Sequence, residues 1–155
     1  MRLTRYTDYS LRVLMYLALK PEGLVSIGEI AERHGISENH LMKVVNHLGH
    51  LGYIAARRGR SGGLRLACSA DDIAVGEVVR RMESELALAD CLVEGAACPL
   101  EGTCRLQGLL GEAMAAFMSV LDGCTVADLV RANPDAMRRR LACAGPAPRA
   151  MAPVP

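Results

Sequence analysis

The apolar positions of this chain repeat at spacings of three and four over most of its length, which predicts a mainly helical fold. In "YTDYSLRVLMYLALK" the residues Leu11, Val13, Leu14, Leu17 and Ala18 form one apolar face. Ser26 and Glu29 make the S-x-x-E pattern of a capping box ahead of the short helix "IGEIAERHG", and Gly35 supplies the turn that ends it. Ser37 is placed to cap a second helix, "ENHLMKVVNHLGHLG", with Leu41, Val44, Val45 and Leu48 on one side. Two short helices joined by a tight turn predict a helix-turn-helix.

The period then changes. Tyr53–Ala56 and Leu64–Ala67 are short apolar runs flanking the Gly-rich basic stretch Arg57 to Gly63, which predicts a β-hairpin. A helix-turn-helix followed at once by a hairpin is a winged helix, and Arg57, Arg58, Arg60 and Arg65 make its wing cationic. A third packing helix is expected from about Val75. After a loop containing Gly95, Pro99 and Gly102, the residues Leu106, Leu109, Leu110, Ala113, Met114, Phe117, Met118 and Leu121 predict a long amphipathic helix. Its apolar face is wide for a surface helix and suits either core packing or pairing with a second copy in a two-fold dimer. Thr125 and Asp128 cap a further helix, and Asn133-Pro134 starts another. The expected organisation is a winged helix-turn-helix lobe over residues 1–70, a cysteine-bearing loop with dimerisation helices over 71–143, and a Pro-rich disordered tail over 144–155.

Composition agrees with this pattern: 51% of the 155 residues are apolar, 3% are aromatic and Trp is absent. Leu, Val, Ile, Met and Ala must therefore build the core, and they favour helices. The net charge of +1 conceals an asymmetry. Residues 1–68 carry ten Lys/Arg against five Asp/Glu, and residues 69–155 carry eight against twelve. A basic half implies an anionic partner. In a helix-turn-helix the second helix enters the major groove by its N-terminal end, which here offers Ser37, Glu38, Asn39, His40 and Lys43. Asn suits adenine, and Lys suits phosphate or guanine. Arg58, Arg60 and Ser61 on the wing reach phosphates or an adjacent minor groove. A winged helix used for protein contacts is the alternative.

No apolar run approaches the roughly 18–20 residues that span a bilayer, and the N-terminus lacks a signal-peptide core. The expected compartment is the cytoplasm, where six cysteines would stay reduced and serve metal or redox chemistry rather than disulfides. Cys91, Cys98 and Cys104 lie 7 and 6 positions apart in "CLVEGAACPLEGTC". Zinc sites favour a close Cys pair with further Cys or His, but all four histidines (His34, His40, His47, His50) lie in the helix-turn-helix region. Thiolate ligation without histidine suits an iron–sulfur cluster. Cys104 precedes the long helix, whose unpaired amides favour a thiolate. Cys68, Cys124 and Cys143 read as small apolar packers. The sequence contains no nucleophile–base arrangement, phosphate loop or paired acid/base motif, so no enzymatic activity is expected.

The motifs "YTDYSLRVLMYLA", "RGRSGG", "ACPLEGTCRL" and "LDGCTVADLV" resemble those of the iron–sulfur winged-helix transcriptional regulators of the NsrR/IscR type over residues 1–132, and within that group most resemble the nitric-oxide-sensing NsrR-type repressors. The resemblance implies a homodimeric repressor of a pseudo-palindromic DNA operator, with one cluster per subunit, [4Fe–4S] in preference to [2Fe–2S]. IscR-like members carry a histidine ligand three positions after the last cysteine, where this chain has Gln107. NsrR-like members use an aspartate of the partner subunit, which implies a ligand set of Cys91, Cys98, Cys104 and Asp8 from the other chain. Asp90, Glu94, Glu101 and Glu85 are the competing carboxylates. The alternatives are an IscR-like regulator of cluster assembly or iron supply with a [2Fe–2S] centre, and a small electron-transfer protein.

Overall fold

The computed structural model describes residues 2–59, 62–93, 95, 98–100 and 102–142. Helix α1 (Arg5–Leu19) opens at Thr4, whose hydroxyl accepts from the Thr7 amide, and it buries Val13, Leu14 and Leu17 almost completely. Helix α2 (Ile27–His34) opens at Ser26, whose Oγ accepts from the Glu29 amide at 3.0 Å. Only half of the expected capping box forms here. The Glu29 carboxylate instead accepts from Tyr16 Oη at 2.8 Å and pairs with Lys20, tying α2 to α1. Gly35 ends α2 with φ 64° and ψ 38°, a conformation that costs a β-carbon little only when there is none.

Helix α3 (Glu38–His50) buries Leu41, Val44, Val45 and Leu48 as its periodicity predicts. The hairpin pairs β1 (Ile54–Arg57) with antiparallel β2 (Gly63–Leu66), Ile54 opposite Leu66 and Arg57 opposite Gly63. Val25 adds a third rung: its amide donates to Leu64 O at 3.0 Å and its carbonyl accepts from Leu64 N at 2.8 Å. Glycine is required at position 63, since a β-carbon would stand 2.9 Å from Leu24 Cβ and 3.0 Å from Val25 O.

Helix α4 (Val75–Met82), helix α5 (Arg105–Asp122), helix α6 (Val126–Arg131) and helix α7 (Pro134–Ala142) complete the chain. Thr125 and Asp128 form a full reciprocal capping box at α6. Ile73, Val78, Met82 and Val126 join the same apolar core as α1 and α3. The connection is backbone as well as side chain, because Val75 N donates to Cys124 O and Val126 N to Ile73 O, both at 2.9 Å. Helix α5 lies close on α4 at Gly76, where a β-carbon would meet the Asp122 side chain at 2.0 Å and its amide at 3.0 Å. Arg80 donates to the same carboxylate at 2.7 Å. No helix is long and apolar enough to cross a membrane among the described residues.

The architecture is therefore the mainly helical winged helix-turn-helix that the sequence predicts, with a small hairpin wing, a cysteine-bearing loop and a long helix after it. Cys68 departs from its reading as a packer: it follows the hairpin and is exposed, while Cys124 is partly buried. Cys143 and the 144–155 tail lie outside the described residues.

Candidate nucleic-acid interface and cluster loop

The helix-turn-helix presents one polar ridge. Ser37, Glu38, Asn39, His40, Lys43 and Asn46 are all exposed along α3, while its opposite side is core. Ser37 occupies the cap position without using its side chain as a cap; its carbonyl accepts from the His40 and Leu41 amides at 3.1 Å. The hydroxyl is thereby left facing outward. Arg58 is exposed at the wing's tip. Arg60 and Ser61 fall outside the described residues. Between α3 and the wing runs a 730 Å³ groove whose polar rim is Lys43, Asn46, His50 and Arg58. Asn46 and His50 were not singled out from sequence. They continue the face of Asn39 and Lys43 at helical spacing, and that periodicity is the signal that finds them.

Helix α1 braces α3 from the side. Tyr6 Oη donates to Lys43 O at 3.2 Å and lies 3.1 Å from His47 Nδ1, with the two rings 5.8 Å apart. Asp8 sits one turn into α1, its carboxylate half-exposed and accepting from Arg12 Nε at 3.0 Å on both oxygens. Behind it, His34 packs edge-on against Tyr16 at 5.5 Å. Burial, and after it the Arg12 guanidinium, hold the His34 imidazole below its ordinary 6.5, partly offset by Asp8.

The cysteine loop leaves α4 at Glu83 and runs to the cap of α5. Cys91 lies in a single 3-10 turn, Asp90–Leu92, and Cys104 is the N-cap residue of α5 with no side-chain cap bond. Cys91, Cys98 and Cys104 are free thiols, each partly buried. Gln107 Nε2 donates to Cys91 O at 3.1 Å, which fastens the start of the loop to the first turn of α5. Among the described residues of one chain, no three His, Cys, Asp or Glu side chains gather as a metal site, so Asp8 and the cysteines are not brought together within the subunit. The donor set itself, soft thiols beside the unpaired amides of a helix N-terminus, fits a thiolate-bound cofactor.

Helix α5 buries only Met118. Leu106, Leu109, Ala113, Ala116 and Val120 are exposed at successive spacings of three, four, three and four, an apolar seam that none of the described residues covers.

A family model described as "Iron-dependent Transcriptional regulator", Rrf2, matches residues 3–132. The chain belongs to the Rrf2 family. It is 46% identical over 140 residues to the HTH-type transcriptional regulator NsrR of Bacillus subtilis, covering 89% of this chain and 96% of that protein. It is 49% identical over 143 residues to NsrR of Shouchella clausii, covering 91% and 95%. Among solved structures it resembles T. potens IscR (TM-score 0.70, 27% identity, 85% and 88% coverage) and CymR (YrzC), the global cysteine regulator of B. subtilis (TM-score 0.71, 27% identity, 86% and 98% coverage). Within the Rrf2 family this is an NsrR-type, DNA-binding transcriptional regulator and not an enzyme. The winged-helix fold is shared with these Rrf2 structures.

Proposed function

We propose that this Rrf2 regulator is a homodimeric repressor that holds operator DNA while an iron–sulfur cluster is intact and releases it in response to nitric oxide. The observation that carries the reading is the loop between α4 and α5, which carries three free, partly buried thiols, Cys104 at the N-cap of α5 and Cys91 tied to α5 through its carbonyl and Gln107, in a chain of NsrR type. Cys91, Cys98 and Cys104 would hold the cluster, [4Fe–4S] in preference to [2Fe–2S], with Asp8 of the partner subunit as the fourth ligand. When bound, the cluster supplies thiolate-ligated iron with which nitric oxide reacts.

The chain's own residues do the rest. Cys104 stands at the N-cap of α5, where the first amides of the helix could donate to a ligating sulfur. Gln107 is committed to the Cys91 carbonyl and positions the loop rather than acting as a ligand, which favours this reading over an IscR-like one. A carboxylate is a harder ligand than a thiolate, so Asp8 would hold its iron less firmly than the three cysteines would. In the structure the Asp8 carboxylate accepts from Arg12 Nε, so ligation to the partner's cluster would draw it from that ion pair. Because α1 is fastened to α3 through Tyr6, the partner that Asp8 takes is felt at the reading head. Moving a regulator from mostly bound to mostly free takes about 5 kcal/mol of differential affinity. The apolar seam of α5 supports the dimer that brings Asp8 to the other chain's loop, and a two-fold pair of reading heads suits a pseudo-palindromic operator.

The test is oxygen-free purification, iron and sulfide analysis, and nitric oxide titration followed by operator binding. Asp8→Ala is expected to lose or alter the cluster spectrum and blunt the nitric oxide response. An Asp8→Ala protein with unchanged iron, spectrum and response removes Asp8 from the ligand set. Wild-type protein that is colourless and iron-free yet holds its operator tightly removes the cluster from the mechanism.

A further inference from the structure

Helix α3 has two flanks. One faces the wing across the 730 Å³ groove; the other faces the first turns of α1 across a separate hollow of 270 Å³. Lys43 lines both, so it stands on the ridge between them. A helix seated in a major groove about 12 Å wide has a sugar–phosphate strand along each side. The wing serves one strand. The α1 flank is lined by Arg5, Tyr6, Tyr9, His40 and Lys43 above buried Val44.

These side chains are cationic or able to donate a hydrogen bond. Among the described residues, none of Arg5, His40 and Lys43 has an ion-pair partner, in a chain where Arg12, Arg80, Arg81, Arg131 and Arg138 are all paired. Tyr6 is the strut, its hydroxyl occupied by Lys43 O and His47. Arg5 and Lys43 therefore hold their spacing across the hollow because the backbone of one helix is fastened to the other. Among the described residues no carboxylate lines the hollow. We propose that this hollow is the seat of a backbone phosphate of the operator duplex, with Arg5 as its main cation, Lys43 and His40 closing it from α3, and the Tyr9 hydroxyl as a further donor.

Arg5 and Asp8 share the opening turn of α1. The turn that would offer a ligand to the partner's loop then also grips the duplex. This consequence rests on the ligation proposed above, whereas the phosphate seat itself does not.

The test uses the full-length protein and a duplex operator isolated by in vitro selection with it. Operator affinity is measured from 50 to 200 mM salt for the wild type, Arg5→Gln, Arg5→Lys and Arg139→Gln, with iron content recorded on each preparation. One lost phosphate contact per subunit lowers the log–log salt slope by about 0.9, or about 1.8 in a dimer, so the wild type should lose roughly tenfold more affinity than Arg5→Gln over that range. Arg5→Lys should keep the wild-type slope, and so should Arg139→Gln on exposed α7. A single neutral methylphosphonate walked along each half-site should weaken the wild type at one position and leave Arg5→Gln indifferent there. An Arg5→Gln slope equal to the wild type's, an equal loss in Arg139→Gln, or methylphosphonate penalties identical in both proteins at every position overturns the seat. The proteins are compared at matched iron content: a lower slope in Arg5→Gln with wild-type iron reports on the seat, whereas operator binding that is the same with and without iron overturns the cluster reading and leaves the seat standing.

Discussion

Replacing Leu106 and Leu109 together by Ala should break the proposed dimer without unfolding the subunit. In the isolated chain these side chains remain 59% and 60% exposed, so truncating them leaves no cavity in the core. The folded monomer should change by no more than about 0.5 kcal/mol, as for other surface sites. At an interface the account differs. Fully burying a Leu is worth about 1.5–3 kcal/mol, and more than half of each of these remains to be covered. Losing most of that burial costs roughly 1 kcal/mol per side chain, and a two-fold dimer contains four. The sum of about 4 kcal/mol corresponds to roughly a thousandfold weaker dimer. Sedimentation equilibrium over a concentration series measures the dissociation constant directly, and far-UV circular dichroism with urea melts checks the subunit. An unchanged dissociation constant in a folded double variant refutes the assignment of the α5 seam to the dimer. A variant that unfolds outright refutes the claim that the seam is surplus to the monomer core.

Ser37→Ala should leave stability within about 0.5 kcal/mol, because the hydroxyl makes no cap bond, and should still weaken operator binding; urea melts and gel shifts read the two effects separately. Ile73→Ala, fully buried between the hairpin and α4, should cost about 2–5 kcal/mol and lower a single cooperative transition, since α4 and α6 share one core with the winged helix; two separated transitions would contradict that packing. The folded-state pKa of His34 lies below the unfolded 6.5, so near pH 6.5 and below the unfolded chain binds the additional proton. Its contribution is thus present above pH 6.5 and is lost as pH falls toward the folded pKa. His34→Gln should flatten the fall in thermal stability on the acid side of pH 6.5, and an unchanged acid slope would place the titration elsewhere.

Much of the fold is decided by information confined to a few neighbouring residues. Apolar spacing sets the faces of α1, α3 and the hairpin, Gly35 sets the turn, and Thr125 with Asp128 sets the start of α6, because each of these depends on local backbone geometry. The candidate DNA residues of α3 were legible for the same reason: a helix with one side in the core must show the other to solvent. What the local pattern could not contain was competition between distant groups. Glu29 abandons its cap to reach Tyr16 and Lys20, and Gln107 spends its amide on the Cys91 carbonyl. Arg5 offers no sequence signal of its own and becomes a candidate only because Tyr6 fastens its turn beside Lys43. Likewise the periodicity of α5 announced an apolar face but not whether the chain would cover it. Tertiary packing answered that by committing only Met118 to the core, leaving the seam exposed. Periodicity specifies which atoms avoid water; only the folded chain settles which surface they meet, since that depends on contacts between residues far apart in sequence.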